Sequence, residues 1–143
     1  MAPYTVVKIA DVPDASPDIT KLCLDLGVEH ETDPAHMQLR FLREPLGLEN
    51  FAISLEHFSA GFRPSRGHRH TVQEEVYVLV SGEAEIKLDD DVVVLEPMTA
   101  VRVPPTTVRA LRARGDVDAV VVTVAAPQAG LDDVEMIADF WRD

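Results

Sequence analysis

An all-β fold with a helical tail follows from three features of this 143-residue chain. From residue 75 onward, apolar runs of five to eight residues recur at a spacing of roughly eight to twelve, which is the rhythm of a sandwich or barrel. Each run is closed by Gly, Pro or Asp, and this tight-turn chemistry opposes a βαβ arrangement with crossover helices. The tail, residues 130–143, changes period: Val134, Ile137, Ala138 and Trp141 fall at i, i+3, i+4 and i+7. With Asp132 and Glu135 as a capping-box-like start, it predicts a short amphipathic α-helix over about 131–141, packing Trp141 against the core or a partner.

Taken in order, residues 4–9 (YTVVKI) are β-branched and predict a short edge strand. Pro13 and Pro17 keep a long helix from starting in 12–27, and ITKLCLDLG within it suits a strand or a short helix equally. EHETDPAH is a polar loop. MQLRFLR (37–43) alternates, with Leu39 and Phe41 opposite Arg40 and Leu42; EPLGLEN is a turn, and FAISLEHFSAG (51–61) a strand ending at Gly61. Beyond the loop at 60–71, EVYVLV ends at Ser81-Gly82, EAEIKL at Asp89-Asp90-Asp91, and VVVLE at Pro97. TAVRV then runs into Pro104-Pro105, TVRALRA into Arg114-Gly115-Asp116, and DAVVVTVA into Pro127. The Asp triplet reads as a hairpin turn in preference to a calcium loop. No repeat, low-complexity stretch or linker interrupts the chain. It is therefore expected to be a single domain over 1–143, with a strand-bearing N-terminal segment 1–36, a core of about 37–126 and the terminal helix.

Composition removes several function classes. A net charge of −12 makes nucleic acid or an anionic membrane surface an unsuitable partner. No run is long enough to span a bilayer, and MAPYTVVKIADVPD lacks a basic head followed by an apolar core, so a cytoplasmic protein is expected. The single cysteine, Cys23, excludes an internal disulfide and reads as a buried structural thiol. G-x-S-x-G, phosphate-loop and C-x-x-C motifs are all missing, which leaves nucleophilic hydrolase, NTPase and thiol-redox readings without support.

The chemistry concentrates in GFRPSRGHRHTVQEEVYVLVSG (61–82). His68 and His70, two apart on a strand, share a face, and Glu75 can return to that face if the intervening TVQE makes a turn. Period two groups Glu75 with Tyr77 and Leu79 and puts Glu74 on the opposite face. Two imidazoles and a carboxylate make a ligand set for iron, manganese or zinc that leaves coordination positions open. On spacing alone, a surface His-rich turn before a buried strand stands equal to this.

H-x-H-x4-E-x6-G, here His68, His70, Glu75 and Gly82, resembles the first motif of the cupin superfamily, with Gly61 or Gly67 near its usual preceding glycine. The second motif is matched by Pro97-Met98-Thr99 and by Val103-Pro104-Pro105-Thr106-Thr107-Val108-Arg109. It is degenerate: Thr106 stands where glycine is usual, and Arg109 where a fourth ligand, histidine, is expected. The resemblance covers roughly residues 50–125. It implies a small single-domain cupin of the "cupin 2" type, a double-stranded β-helix jelly-roll barrel whose interior is the site. It also implies a homodimer, for which the N-terminal segment and the Trp141 helix are candidate interface elements. His68, His70 and Glu75 would hold a divalent metal (Fe, Mn, Zn or Ni), with Arg109 weighing against its occupancy.

Arg109 divides the functional reading. A guanidinium cannot coordinate, and about 5 Å from a divalent cation it would repel it by roughly 7 kcal/mol at an effective dielectric near 20. It can turn outward, bind a substrate anion beside the metal, or replace the metal by pairing with Glu75. Arg63, Arg66, Arg69, Arg102, Arg109, Arg112 and Arg114 all lie between the loop of the first motif and the end of the hairpin that carries the second, which suits a small anionic organic molecule. Of these, Arg69, Arg112 and Arg114 read as solvated, while Arg109 and Arg102 are the candidate anion contacts. Tyr77 and Met98, with Phe51 and Phe62, are candidates for an apolar pocket lining, and His57 for a compensating ligand if it faces inward. Two functions stay open: a metal-dependent dioxygenase, isomerase or decarboxylase of a small organic acid, and a metal-free binding module anchored on Arg109 without catalysis.

Overall fold

The computed structural model describes residues 2–27, 36–126 and 133–142. Among them are ten strands: β1 Met37–Phe41, β2 Ala52–Phe58, β3 Gly67–His70, β4 Glu75–Ser81, β5 Ala84–Leu88, β6 Asp91–Leu95, β7 Thr99–Val103, β8 Arg109–Ala113, β9 Ala119–Ala125 and β10 Val134–Ile137. They build two antiparallel five-stranded sheets, in the orders β1-β2-β9-β4-β7 and β10-β3-β8-β5-β6. Tyr77, Leu79 and Val121 from the first sheet and Ile86, Leu95 and Leu111 from the second belong to one buried core. The alternation of β9, buried at every second residue, is the two-period pattern of a sheet with one covered face.

Two expectations are corrected here. The sheets have the strand content of a jelly roll, but neither closes into a barrel. The chain passes from β6 in one sheet to β7 in the other through Glu96–Met98, with Met98 in the left-handed region (φ 65°), and the two strands do not pair. The C-terminal helix is also absent from the described residues. Residues 134–137 form β10, which pairs with β3 (Val134↔His70, Met136↔His68), and residues 131–132 lie outside the described residues. Four apolar residues at helical spacing are weak against an open strand edge that offers a backbone ladder. Trp141 is buried nonetheless: its main-chain N–H donates to Ser65 O at 2.8 Å, and the Arg112 guanidinium lies 4.2 Å from its ring centre. Arg112 is thereby buried, not solvated, and it donates to Pro64 O and Trp141 O.

The helices lie elsewhere. α1, Ser16–Asp25, has Pro17 in its first turn, where a missing N–H breaks no helical bond. Asp14 accepts from Ser16 N and Ser16 Oγ, both at 2.9 Å, and from Leu39 N at 3.0 Å, which ties the helix start to β1. Cys23 is fully buried on this helix. α2, Arg43–Leu46, is one turn ended by Gly47 in the left-handed region. Residues 4–9 form no strand: Tyr4 and Val6 are exposed, and β-propensity without a face to bury does not hold the segment in a sheet. Gly82 is required in the β4–β5 turn, because φ is +83° and a Cβ would overlap the Asp118 carbonyl. Among the described residues no helix is long and apolar enough to cross a membrane.

Candidate metal centre

β3 is only four residues, GHRH, yet it is held on both sides, by β10 and by the single pair His68↔Arg109 with β8. His68 and His70 both project toward the other sheet, where Glu75 opens β4 between Val103 of β7 and Ala125 of β9. The turn that brings Glu75 back is pinned by Asp133. Its main-chain carbonyl accepts from Thr71 N (2.8 Å) and its carboxylate from Val72 N (2.7 Å). Glu75 Oε1 then lies 3.5 Å from His68 Nε2 and 3.1 Å from His70 Nε2. The two imidazoles stand edge to face, 5.1 Å apart. Tyr77 OH donates to the same carboxylate oxygen at 2.8 Å. His68, His70 and Glu75 offer ligand atoms within 4.8 Å of one another and form a cluster able to hold a divalent metal ion.

The protonation pattern fits that group. Asp133 Oδ2 lies 2.9 Å from His70 Nδ1 and engages that nitrogen, which leaves Nε2 as the ring nitrogen turned to the cluster. Nε2 is buried without a hydrogen-bond partner and faces a carboxylate oxygen, an arrangement that a metal cation between them would satisfy. Burial opposes the charge on Glu75, but its contacts with His68 and His70 outweigh that and hold the carboxyl well below its usual range. Burial also pushes the His68 ring down, against the pull of Glu75, toward the neutral form that ligates. Asp133 is itself held low: burial is offset by Val72 N–H and His70.

Arg109 points inward and is 1% exposed. Its terminal nitrogens are already engaged: Nη1 donates to Pro105 O (3.2 Å) and Nη2 to Pro104 O (2.9 Å). Nε faces the cluster, 3.6 Å from Glu75 Oε1 and without a hydrogen-bond partner. The arginine in the place of the fourth ligand is thus a strut for the Pro104-Pro105 turn as well as a positive charge beside Glu75.

A cavity of about 540 Å³ opens onto this cluster, and Tyr77, Arg109 and Phe62 line it. His57, Arg102, Met98 and Phe51 do not. On β2 the residues Ser54, Glu56 and Phe58 face the cavity, so period two turns His57 outward, where it meets Asp118 at 2.9 Å on the surface. Arg102 is exposed and paired with Glu74 at 2.6 Å, and Met98 is 77% exposed in its turn. Two residues went unnoticed in the sequence. Asp133 was hidden by the helical reading of the tail. Glu56 was legible from strand alternation, as a carboxylate on the inward face of β2.

Glu56 accepts a hydrogen bond from Thr123 Oγ1 at 3.2 Å. Burial first, then the charge of Glu75, push its carboxyl up to about 7, against Thr123 and Arg66. The folded protein therefore keeps a proton that the unfolded chain releases near its ordinary 4.5, so stability falls as pH rises through the window from about 4.5 to 7. Glu56 is half-buried, so solvent screening reduces the effect on stability. Glu56→Gln is accordingly expected to stabilise the protein by about 1–2 kcal/mol near pH 8, with the gain shrinking to a small fraction near pH 5. Urea unfolding at the two pH values reads this directly, and an equal difference at both would contradict the assignment.

A Cupin domain model matches residues 54–125 of this chain. No curated protein matches it in sequence. Among solved structures it is similar to a cupin protein from Bacteroides fragilis, at 20% identity and a TM-score of 0.64, covering 92% of this chain and 90% of that one. It is also similar to the polyketide cyclase RemF from Streptomyces resistomycificus (16% identity, TM-score 0.61, 85% and 78% covered). A third is a sugar phosphate isomerase of the cupin superfamily from Silicibacter pomeroyi (15% identity, TM-score 0.56, 73% and 77% covered). At these identities the likeness speaks for the fold alone. The domain match spans half of the chain and contains both motif regions, and by it the chain belongs to the cupin family.

Proposed function

We propose that this protein holds a divalent metal at His68, His70 and Glu75 and takes a small organic acid into the adjoining cavity. The observation that carries the reading is His70 Nε2, buried, unpartnered and 3.1 Å from Glu75 Oε1, with Asp133 fixing the ring from behind. Iron, manganese, zinc and nickel all suit this donor set, and such an ion supplies Lewis acidity or oxygen chemistry for dioxygenase, isomerase or decarboxylase reactions. The chain's own residues do the positioning. Asp133 orients His70, Tyr77 OH holds Glu75, and Arg109 Nε adds positive charge at the same end. Leu39, Phe58, Phe62 and Leu111 give the rest of the cavity an apolar wall, which suits a molecule with an acidic head and an apolar body.

A metal-free module anchored on Arg109 has less behind it, since each terminal nitrogen of that guanidinium already gives one of its two N–H groups to a prolyl carbonyl. We also read the chain as one domain that works in the cytoplasm as a homodimer. The exposed Val92, Val93 and Val94 on the edge strand β6 support the dimer. The test is metal content by mass spectrometry on tag-free protein. Near-stoichiometric iron, manganese, zinc or nickel is the expected result. Protein that carries no such metal, and takes up none from any of the four salts, would sink the reading.

A further inference from the structure

The cavity has a polar group that the metal cluster does not use. Glu56 sits mid-strand on β2, with Leu39 of β1 opposite it on one side and Val121 of β9 on the other, both buried. An apolar side chain would pack in that place without difficulty, whereas a carboxyl set between Leu39 and Val121 needs hydrogen bonds to offset its desolvation. Thr123 Oγ1 supplies one, and Arg66, also in the cavity wall, adds a favourable charge. A carboxylate has about four acceptor positions, so Glu56 keeps capacity beyond the Thr123 bond on the side where it borders the cavity.

We propose that Glu56 is a specificity-determining residue: it accepts a hydrogen bond from a hydroxyl group on the body of the organic acid, and so selects hydroxylated molecules over their deoxy counterparts. The inference rests on the reading above, in which the acid head lies at the metal cluster. A site that hydrogen-bonds a hydroxyl disfavours the analogue lacking it, because the acceptor positions that Thr123 leaves open are then covered by the ligand without a donor. An aliphatic wall tolerates both. The push of the carboxyl to about 7 agrees with this placement and means that Glu56 is mostly an ionised acceptor near pH 8.

The probes are phenylacetate and its three ring-hydroxylated isomers, titrated calorimetrically near pH 8 into the wild-type protein with its bound metal, and into Glu56→Leu and Glu56→Gln. At least one hydroxylated isomer is expected to bind wild type about tenfold or more tighter than phenylacetate. Glu56→Leu is expected to erase that preference, and Glu56→Gln, which keeps an acceptor oxygen, to retain part of it. Equal affinities for all four probes, no binding by any of them, or a preference that survives in Glu56→Leu would overturn the proposal. Metal content, measured on the same samples, separates the two failures. Metal present without hydroxyl selectivity ends this inference alone, and metal absent ends the reading beneath it.

Discussion

His70→Ala is expected to abolish metal retention, while Asp133→Ala, one shell further out, weakens it without abolishing it. His70 offers one of three ligand atoms, and its removal would leave His68 and Glu75 as a pair that cannot complete a facial set. Asp133 lies outside the ligand cluster. It engages His70 Nδ1 and keeps Nε2 aimed at Glu75, a role whose loss costs about 10–100-fold in affinity. A loss greater than about hundredfold for His70→Ala, beside this smaller one, is the ordered pair of effects that chelator competition should read. Asp133 has a second role that alanine also removes, since its carboxylate caps Val72 N in the turn before Glu75. Asp133→Asn keeps an acceptor for that N–H and damages mainly the His70 contact, so it should fall between wild type and alanine. If all three variants retain metal like wild type, the cluster is not the metal site.

The same two residues show how far the sequence could be read. His68, His70 and Glu75 were legible because strand period and a four-residue turn are local properties, and the structure keeps them local. The run of strands from β4 to β9 was legible for the same reason: each carries its own turn residues. Asp133 depends on β10 docking beside β3, a contact spanning more than sixty residues, and no local pattern in VEMI separates a strand from a helical turn. Sheet closure is equally non-local. Whether β6 and β7 pair depends on the path through Glu96–Met98, and the residue pattern of either strand is the same in a barrel and in two sheets. His57 and Glu56 are the instructive neighbours. Histidine attracts attention as a ligand, yet it is the adjacent glutamate that faces the cavity, and only the register of β2 against β1 and β9 decides between them.

Arg109→His is expected to move two properties in opposite directions: tighter metal binding and a less stable metal-free protein. The guanidinium Nε lies 3.6 Å from a carboxylate oxygen of the metal cluster, so its charge acts on any ion held there. Repulsion of roughly 7 kcal/mol at about 5 Å is an upper figure, because Glu75 and a bound anion offset much of it. Relief of even a third of it raises affinity by more than about tenfold, before any gain from a fourth imidazole. The stability change has a separate origin. Pro104 and Pro105 carbonyls lose the donors that Nη2 and Nη1 provide, and the buried Glu75 loses a neighbouring cation. These losses together are expected to cost about 2–4 kcal/mol in the absence of metal. Arg109→Leu separates the terms, since it removes the charge and the strut but supplies no ligand. It should share the stability loss and show only the part of the affinity gain that comes from lifted repulsion. Chelator competition and urea unfolding of the metal-free variants measure both. Unchanged affinity in both variants would mean that Glu75 fully neutralises Arg109. Unchanged stability would mean that the prolyl contacts hold nothing, and the arginine would then have no structural reason to occupy the place of a ligand.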